Sequence, residues 1–135
     1  MKEYVVAVVG EDCKGIYSLL FDRGVRVVNI PHEDSEDISD LMPDLVLLPV
    51  LEDTKAAQSV CKSLKRDSKT RPIPVVFITT LETKVDEALA SISGCIDYIT
   101  NFNNKEGVLA KLITYIKLGK LEKAVSRIIN KLEIA

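Results

Sequence analysis

Asp44-Leu45-Val46-Leu47-Leu48-Pro49-Val50 is the stretch on which the reading of the whole chain turns. Four consecutive large aliphatics, bounded by Pro43-Asp44 and by Glu52-Asp53, suit a central parallel strand covered on both faces. Pro49 is the odd residue. Proline has no amide hydrogen to give to a ladder, so it belongs at a strand end, an edge or a bulge. In open α/β sheets the carboxyl ends of the strands are where chemistry sits. Here that place holds an imino acid with no reactive atom.

Upstream, Tyr4-Val5-Val6-Ala7-Val8-Val9 reads as a first buried strand, ended by Gly10-Glu11-Asp12. Asp12 is placed to cap a helix with the stripe Ile16, Leu19 and Leu20, and Gly24 to stop it in a left-handed conformation. Val25-Arg26-Val27-Val28-Asn29-Ile30 is a second strand, broken by Pro31. Residues 32–42 hold five acids against Ile38, Leu41 and Met42, which predicts a short, poorly packed helix with a solvated acidic face. His32 beside those acids matches no metal-ligand spacing.

Downstream, Ala57, Val60, Cys61 and Leu64 recur at helical spacing and predict a third helix over 54–66. A polar loop over 67–72 leads to a fourth strand over 73–79. Val85, Ala88, Leu89 and Ile92 mark a fourth helix closed by Gly94. A fifth strand over 96–100 and a fifth helix with Leu109, Leu112, Ile113 and Ile116 follow. Five strand-then-helix units with right-handed crossovers give an α/β doubly wound five-stranded parallel sheet. The flavodoxin-like strand order 2-1-3-4-5 is the economical one, and it brings Gly10-Glu11 beside Pro49-Val50 at the switch point.

The last helix does not stop where the fifth unit ends. Leu118, Leu121, Val125, Ile128 and Leu132 follow 3-4-3-4 spacing, a two-heptad apolar seam. Gly119 falls where the earlier stripe changes phase, so a kink or stutter is expected there. This divides the chain into a domain over 1–118 and a helical extension over 119–135. The extension dimerises, docks a partner, leads to a further domain, or packs back on its own domain.

Composition narrows the class. A chain of 135 residues, 47% hydrophobic and 28% charged, makes one ordinary globular domain. No apolar run approaches the roughly 20 residues of a membrane span, and the chain's start runs straight into a strand without a signal peptide. Cys13, Cys61 and Cys95 are odd in number and scattered, as in reduced thiols of a cytoplasmic protein. Residues 1–104 carry 11 Lys/Arg against 17 Asp/Glu, whereas residues 105–135 carry 7 against 3. A basic helix of this kind is more often a solvated face than a nucleic-acid contact.

Familiar catalytic and nucleotide motifs are missing. No Gly-x-Gly-x-x-Gly follows the first strand and there is no Walker-type Gly-Lys-Ser/Thr. The turn from Gly10 to Gly15 puts acids where a phosphate needs open amides. Cys13 and His32 lack a third, orienting group, so no catalytic residue is assigned.

Read together, these segments resemble the receiver domains of bacterial two-component response regulators, the family of the chemotaxis regulator. The resemblance runs from about Tyr4 to Leu121. It rests on residues 44–48 as the family's third strand, 60–65 and 67–80 as its third helix and fourth strand, and 94–100 as its fifth strand.

The resemblance implies a CheY-like fold and a phosphoacceptor Asp at the end of the third strand, a position taken here by Pro49. It implies two acids after the first strand to hold a divalent cation; here the first is Gly10 and only Glu11 is acidic. It implies a Lys after the fifth strand, followed by a cis proline and Phe, where this chain has Asn101, Phe102 and Asn103. The family's Asp-Gly in the loop after the third strand corresponds to Ala56-Ala57. Thr79 and Tyr98 match the family's switch residues.

Phosphoryl transfer needs a carboxylate nucleophile, a cation to offset charge and a fixed ammonium. The expectation is therefore a degenerate pseudo-receiver, phosphorylation-independent, with no Mg2+ or other cofactor. Its partner is a protein or a second copy. The contact face is the fourth helix, fifth strand and fifth helix, extended by the seam, with neither membrane nor nucleic acid involved. Two alternatives stand beside it: a phosphoacceptor at Glu52 or Asp53, and a small ligand in the vacated acidic pocket around Gly10, Pro49 and Asn101.

Overall fold

Strands β1 (Tyr4–Val9), β2 (Val25–Ile30), β3 (Leu45–Pro49), β4 (Val75–Ile78) and β5 (Cys95–Ile99) form one sheet in the order β2-β1-β3-β4-β5. All four pairings are parallel. This is the order expected from the alternation of strand and helix patterns. The computed structural model describes residues 3–10, 15–21, 23–50, 54–78, 95–99 and 103–134. The expected Asp12 cap and the stripe from Val85 to Ile92 lie outside these residues.

Among the described residues four α-helices accompany the strands: α1 (Ile16–Phe21), α2 (Ile38–Leu41), α3 (Thr54–Arg66) and α4 (Lys105–Ile134). The acid-rich segment His32–Asp37 is a 3-10 helix leading into α2, with no side-chain cap and no buried residue. That fits its scarcity of apolar anchors. Gly24 has φ +73°, the left-handed setting that ends α1.

Side-chain alternation along β3 builds a core on each face. Val46 and Leu48 meet the α3 stripe of Val60, Cys61 and Leu64. Leu45 and Leu47 meet Ile16 and Leu20 of α1 and Leu112 and Ile116 of α4. Full burial of each such aliphatic stabilises by about 1.5–3 kcal/mol, which is why a strand with four in a row takes the centre of the sheet.

Three boundaries differ from expectation. β4 begins at Val75, because Pro74 has no N–H to contribute. β5 begins at Cys95, one residue early: Val75 pairs with Cys95 but Val76 with Asp97, so Ile96 is the extra residue of a bulge. The third difference is Gly119, where no break occurs. One uninterrupted helix of 30 residues runs through it. A Cβ at Gly119 would stand 1.7 Å from the carbonyl oxygen of Asp44 and 2.9 Å from Pro74 Cδ. Glycine is there to let helix and strand backbones touch, not to bend the helix.

Candidate functional site

The register of β1 on β3 runs from Val6↔Leu45 to Val8↔Leu47, so continuing it by one pair-step places Gly10 beside Pro49. Val46 and Val50 give their N–H groups to Pro74 and Ile78 on the β4 side. The intervening parity faces β1, and the β1–β3 ladder has ended by Pro49. Proline therefore occupies the first position of β3 at which no amide hydrogen is needed. It is buried, and it pairs with Ile78.

Gly10 has φ +102°, a setting that disfavours any side chain. Its N–H donates to Ile30 O at 2.8 Å, and Asn29 Nδ2 donates to its carbonyl at 2.7 Å. The space a side chain would take is filled by His32: an ideal Cβ would lie 2.7 Å from Cε1 and 3.1 Å from Nε2. An imidazole thus covers the position at which the resemblance implies an acid. The half of the pocket around Gly10 is occupied, not vacated, which removes one wall from the expected ligand crevice.

Ala57 falls where its helical stripe predicts. It lies in the first turn of α3 and is buried among Val60, Cys61 and Leu64. It opens the i, i+3, i+4, i+7 stripe, so core packing explains it. Tyr98 lies on β5, opposite Phe77, and is partly exposed. Glu11, Glu52, Asp53, Thr79, Asn101 and Phe102 lie outside the described residues. Among the described residues no three His, Cys, Asp or Glu side chains are grouped to hold a metal ion.

At the opposite end of β3 is a charged cluster that sequence reading missed. Asp44 is 1% exposed and Lys123 of α4 is 8% exposed. Asp44 Oδ2 accepts from the Val5 N–H at 2.8 Å, and Oδ1 pairs with Lys123 Nζ at 2.8 Å and with Lys120 Nζ at 3.7 Å. Lys123 Nζ also donates to Met42 O at 2.8 Å, while Lys120 donates to Glu3 O at 3.2 Å and stands over the Tyr4 ring. Breaking a buried pair of this kind by removing one partner costs about 3–5 kcal/mol. Two cations of the basic helix are thereby used inside the domain. A lone Asp before a strand and a Lys 79 residues later carry no local signal of each other.

The anchored part of the extension therefore reaches Lys123, past the expected division at 118/119. On the opposite side of the same helix the seam is open: Leu121 is 62%, Ile128 59% and Leu132 71% exposed, with Leu118 and Val125 also exposed. Beside it, Pro72 faces Leu121, Val125 and Ile129 across an apolar groove of about 320 Å3.

Comparison with known proteins agrees with this geometry. No family model matches the chain. The response regulator PleD of Caulobacter vibrioides is 41% identical over 59 residues, covering 44% of this chain and 13% of that protein. The DNA-binding dual master transcriptional regulator RpaA of a Synechocystis species is 35% identical over 72 residues, covering 53% and 30%. The phosphate regulon regulatory protein PhoB of Escherichia coli is 34% identical over 91 residues, covering 65% and 40%. The chain thus spans less than half the length of these relatives.

Solved structures match the fold more widely. A putative response regulator from Chloroflexus aurantiacus superposes with TM-score 0.69 at 18% identity, over 86% of this chain and 99% of that one. The receiver domain of a Pseudomonas aeruginosa sensor histidine kinase, with magnesium in its active site cleft, gives 0.69 at 16%, again over 86% and 99%. The chain has the CheY-like fold of these structures, and over the stretches matched in sequence it is similar to response regulators.

Proposed function

We propose that this domain is a pseudo-receiver: a signalling module of two-component type that works through protein contacts, without accepting a phosphoryl group and without catalysing a reaction. The observation that carries the reading is Pro49, buried at the carboxyl end of the central strand where the resemblance implies the phosphoacceptor. Proline offers no nucleophile. His32 lying over Gly10 supports the same conclusion, because an imidazole stands where a magnesium-holding acid is implied. The fold is kept and the chemistry is not, so the surface is where function resides. The face formed by β5 and α4 and continued by the seam is the proposed contact.

The test is intact-mass measurement after incubation with acetyl phosphate and Mg2+. The expected result is an unchanged mass. A gain of one phosphoryl group would overturn the reading, and peptide mapping to Glu52 or Asp53 would establish the alternative phosphoacceptor.

A further inference from the structure

We propose that α4 from Lys117 onward pairs in parallel with the same helix of a second copy of this chain. This rests on the reading above that the seam is a contact surface and names its occupant. It does not depend on the loss of phosphoryl transfer.

The helix carries two apolar stripes, and only one is used at home. Leu112, Ile116, Gly119 and Lys123 face the domain. Leu118, Leu121, Val125, Ile128 and Leu132 form the other stripe and are exposed. At 100° per residue the two stand about 180° apart. The anchoring contacts of Gly119 and Lys123 therefore hold the seam off the domain core; Leu121 and Val125 border the domain only at the groove they share with Pro72, and packing the whole seam back would require breaking the anchoring contacts.

The seam reads as a heptad with Leu118, Val125 and Leu132 at the a positions and Leu121 and Ile128 at d. The flanks select the orientation. In a parallel pair, the g residue Lys117 faces the partner's e residue Glu122, and Ala124 faces Ile129, so one flank contact is a charge pair and the next is apolar. All five seam layers are filled.

An antiparallel pair does worse. The register that joins Leu118 to the partner's Ile128 sets Lys117 against Lys131 and Glu122 against Glu122. The register that joins Leu121 to the partner's Leu132 leaves Leu118 uncovered. Each antiparallel register fills four layers. The Lys117–Glu122 pattern is self-complementary, so a second copy is the occupant the charges favour.

The experiment uses the full chain. Sedimentation equilibrium, loaded at about 100 µM, above the micromolar dissociation constants expected of so short a pair, should show a reversible dimer. Leu121→Asp plus Ile128→Asp should give a folded monomer, since both residues are exposed. Glu122→Lys should raise Kd about fivefold or more by facing Lys117 with a like charge, and Lys117→Glu added to it should restore Kd to within about twofold.

Orientation is read by oxidation. Leu118→Cys and Leu132→Cys, tested singly against the wild type as a control for native thiols, should each form a disulfide-linked homodimer. In either antiparallel register, those positions lie at least about 15 Å from their own copies. A monomeric wild type, or a dimer unaffected by the double Asp variant, would overturn the second-copy inference while leaving the phosphate-free reading standing. Cross-linking only between the Leu118→Cys and Ile128→Cys chains, or the Leu121→Cys and Leu132→Cys chains, would overturn the parallel orientation. A phosphoryl gain in the mass assay would sink the proposed function without touching the dimer.

Discussion

Gly119→Ala is the sharpest single test of how the long helix is seated. The added methyl would lie 1.7 Å from Asp44 O, 2.8 Å from Asp44 C and 2.9 Å from Pro74 Cδ. Carbon contacts settle near about 3.5 Å, so strand and helix must part by about 1.5–2 Å. The nearest atoms are backbone and a proline ring, which cannot rotate aside. Separation by that amount stretches the Lys123 Nζ ion pair to Asp44 Oδ1 and the hydrogen bond to Met42 O, each now at 2.8 Å.

Three contributions then compete. Alanine gains about 1 kcal/mol of intrinsic helix preference over glycine. Overpacking costs about 1–3 kcal/mol. Weakening the buried ion pair costs up to about 3–5 kcal/mol. The net expectation is a loss of about 3 kcal/mol, or about 10 °C in Tm. Urea unfolding followed by far-UV circular dichroism should show a lower midpoint at unchanged m-value. Ala124→Gly, on the exposed side of the same helix, calibrates the propensity contribution alone at about 1 kcal/mol. A Gly119→Ala protein as stable as wild type would refute the close contact and the seating of α4 built on it.

Three further outcomes follow from described contacts. Gly10→Ala should cost about 1–3 kcal/mol, because φ +102° strains any side chain and the methyl meets His32. Adding His32→Ala should recover only the steric share in thermal melts. Asp44→Asn and Lys123→Met should each destabilise by about 3 kcal/mol, and the double variant by less than their sum, with a coupling of about 1–3 kcal/mol in a double-mutant cycle; strict additivity would mean the two groups do not interact. Thr70→Val removes the hydroxyl that donates to Leu64 O at 2.7 Å and should lower chemical stability by about 1–2 kcal/mol.

The sheet was legible because its evidence is local. Runs of β-branched residues, stripes at 3.6-residue spacing and the strict alternation of the two leave few topologies. Pro49 was legible for the same reason: the missing N–H is a property of the residue itself. What escaped were relations between distant residues. Gly119 looked like a phase break because the domain-facing stripe and the seam share one pitch. Its actual neighbour, Asp44, is 75 positions away. Asp44 looked like a turn residue before a strand, and nothing nearby foretold a buried carboxylate held by Lys123. His32 looked solvated among acids until the pairing of β2 with β1 laid it over Gly10.

The contact at Gly119 also fixes rotation. Of the domain-facing positions 112, 116, 119 and 123, only 119 lacks a Cβ, and it lies directly over the Asp44 carbonyl. Turning the helix by one residue, about 100°, would bring the Cβ of Leu118 or Lys120 onto that oxygen. The carbonyl thus acts as a detent with a single notch. Everything C-terminal to Lys123 inherits its angular setting from one backbone atom at the foot of β3, a strand only about 16 Å long. Inserting one residue after Lys123 would leave the detent engaged and swing the remaining seam about 100° around the helix axis. Inserting seven would restore its direction to within about 20°.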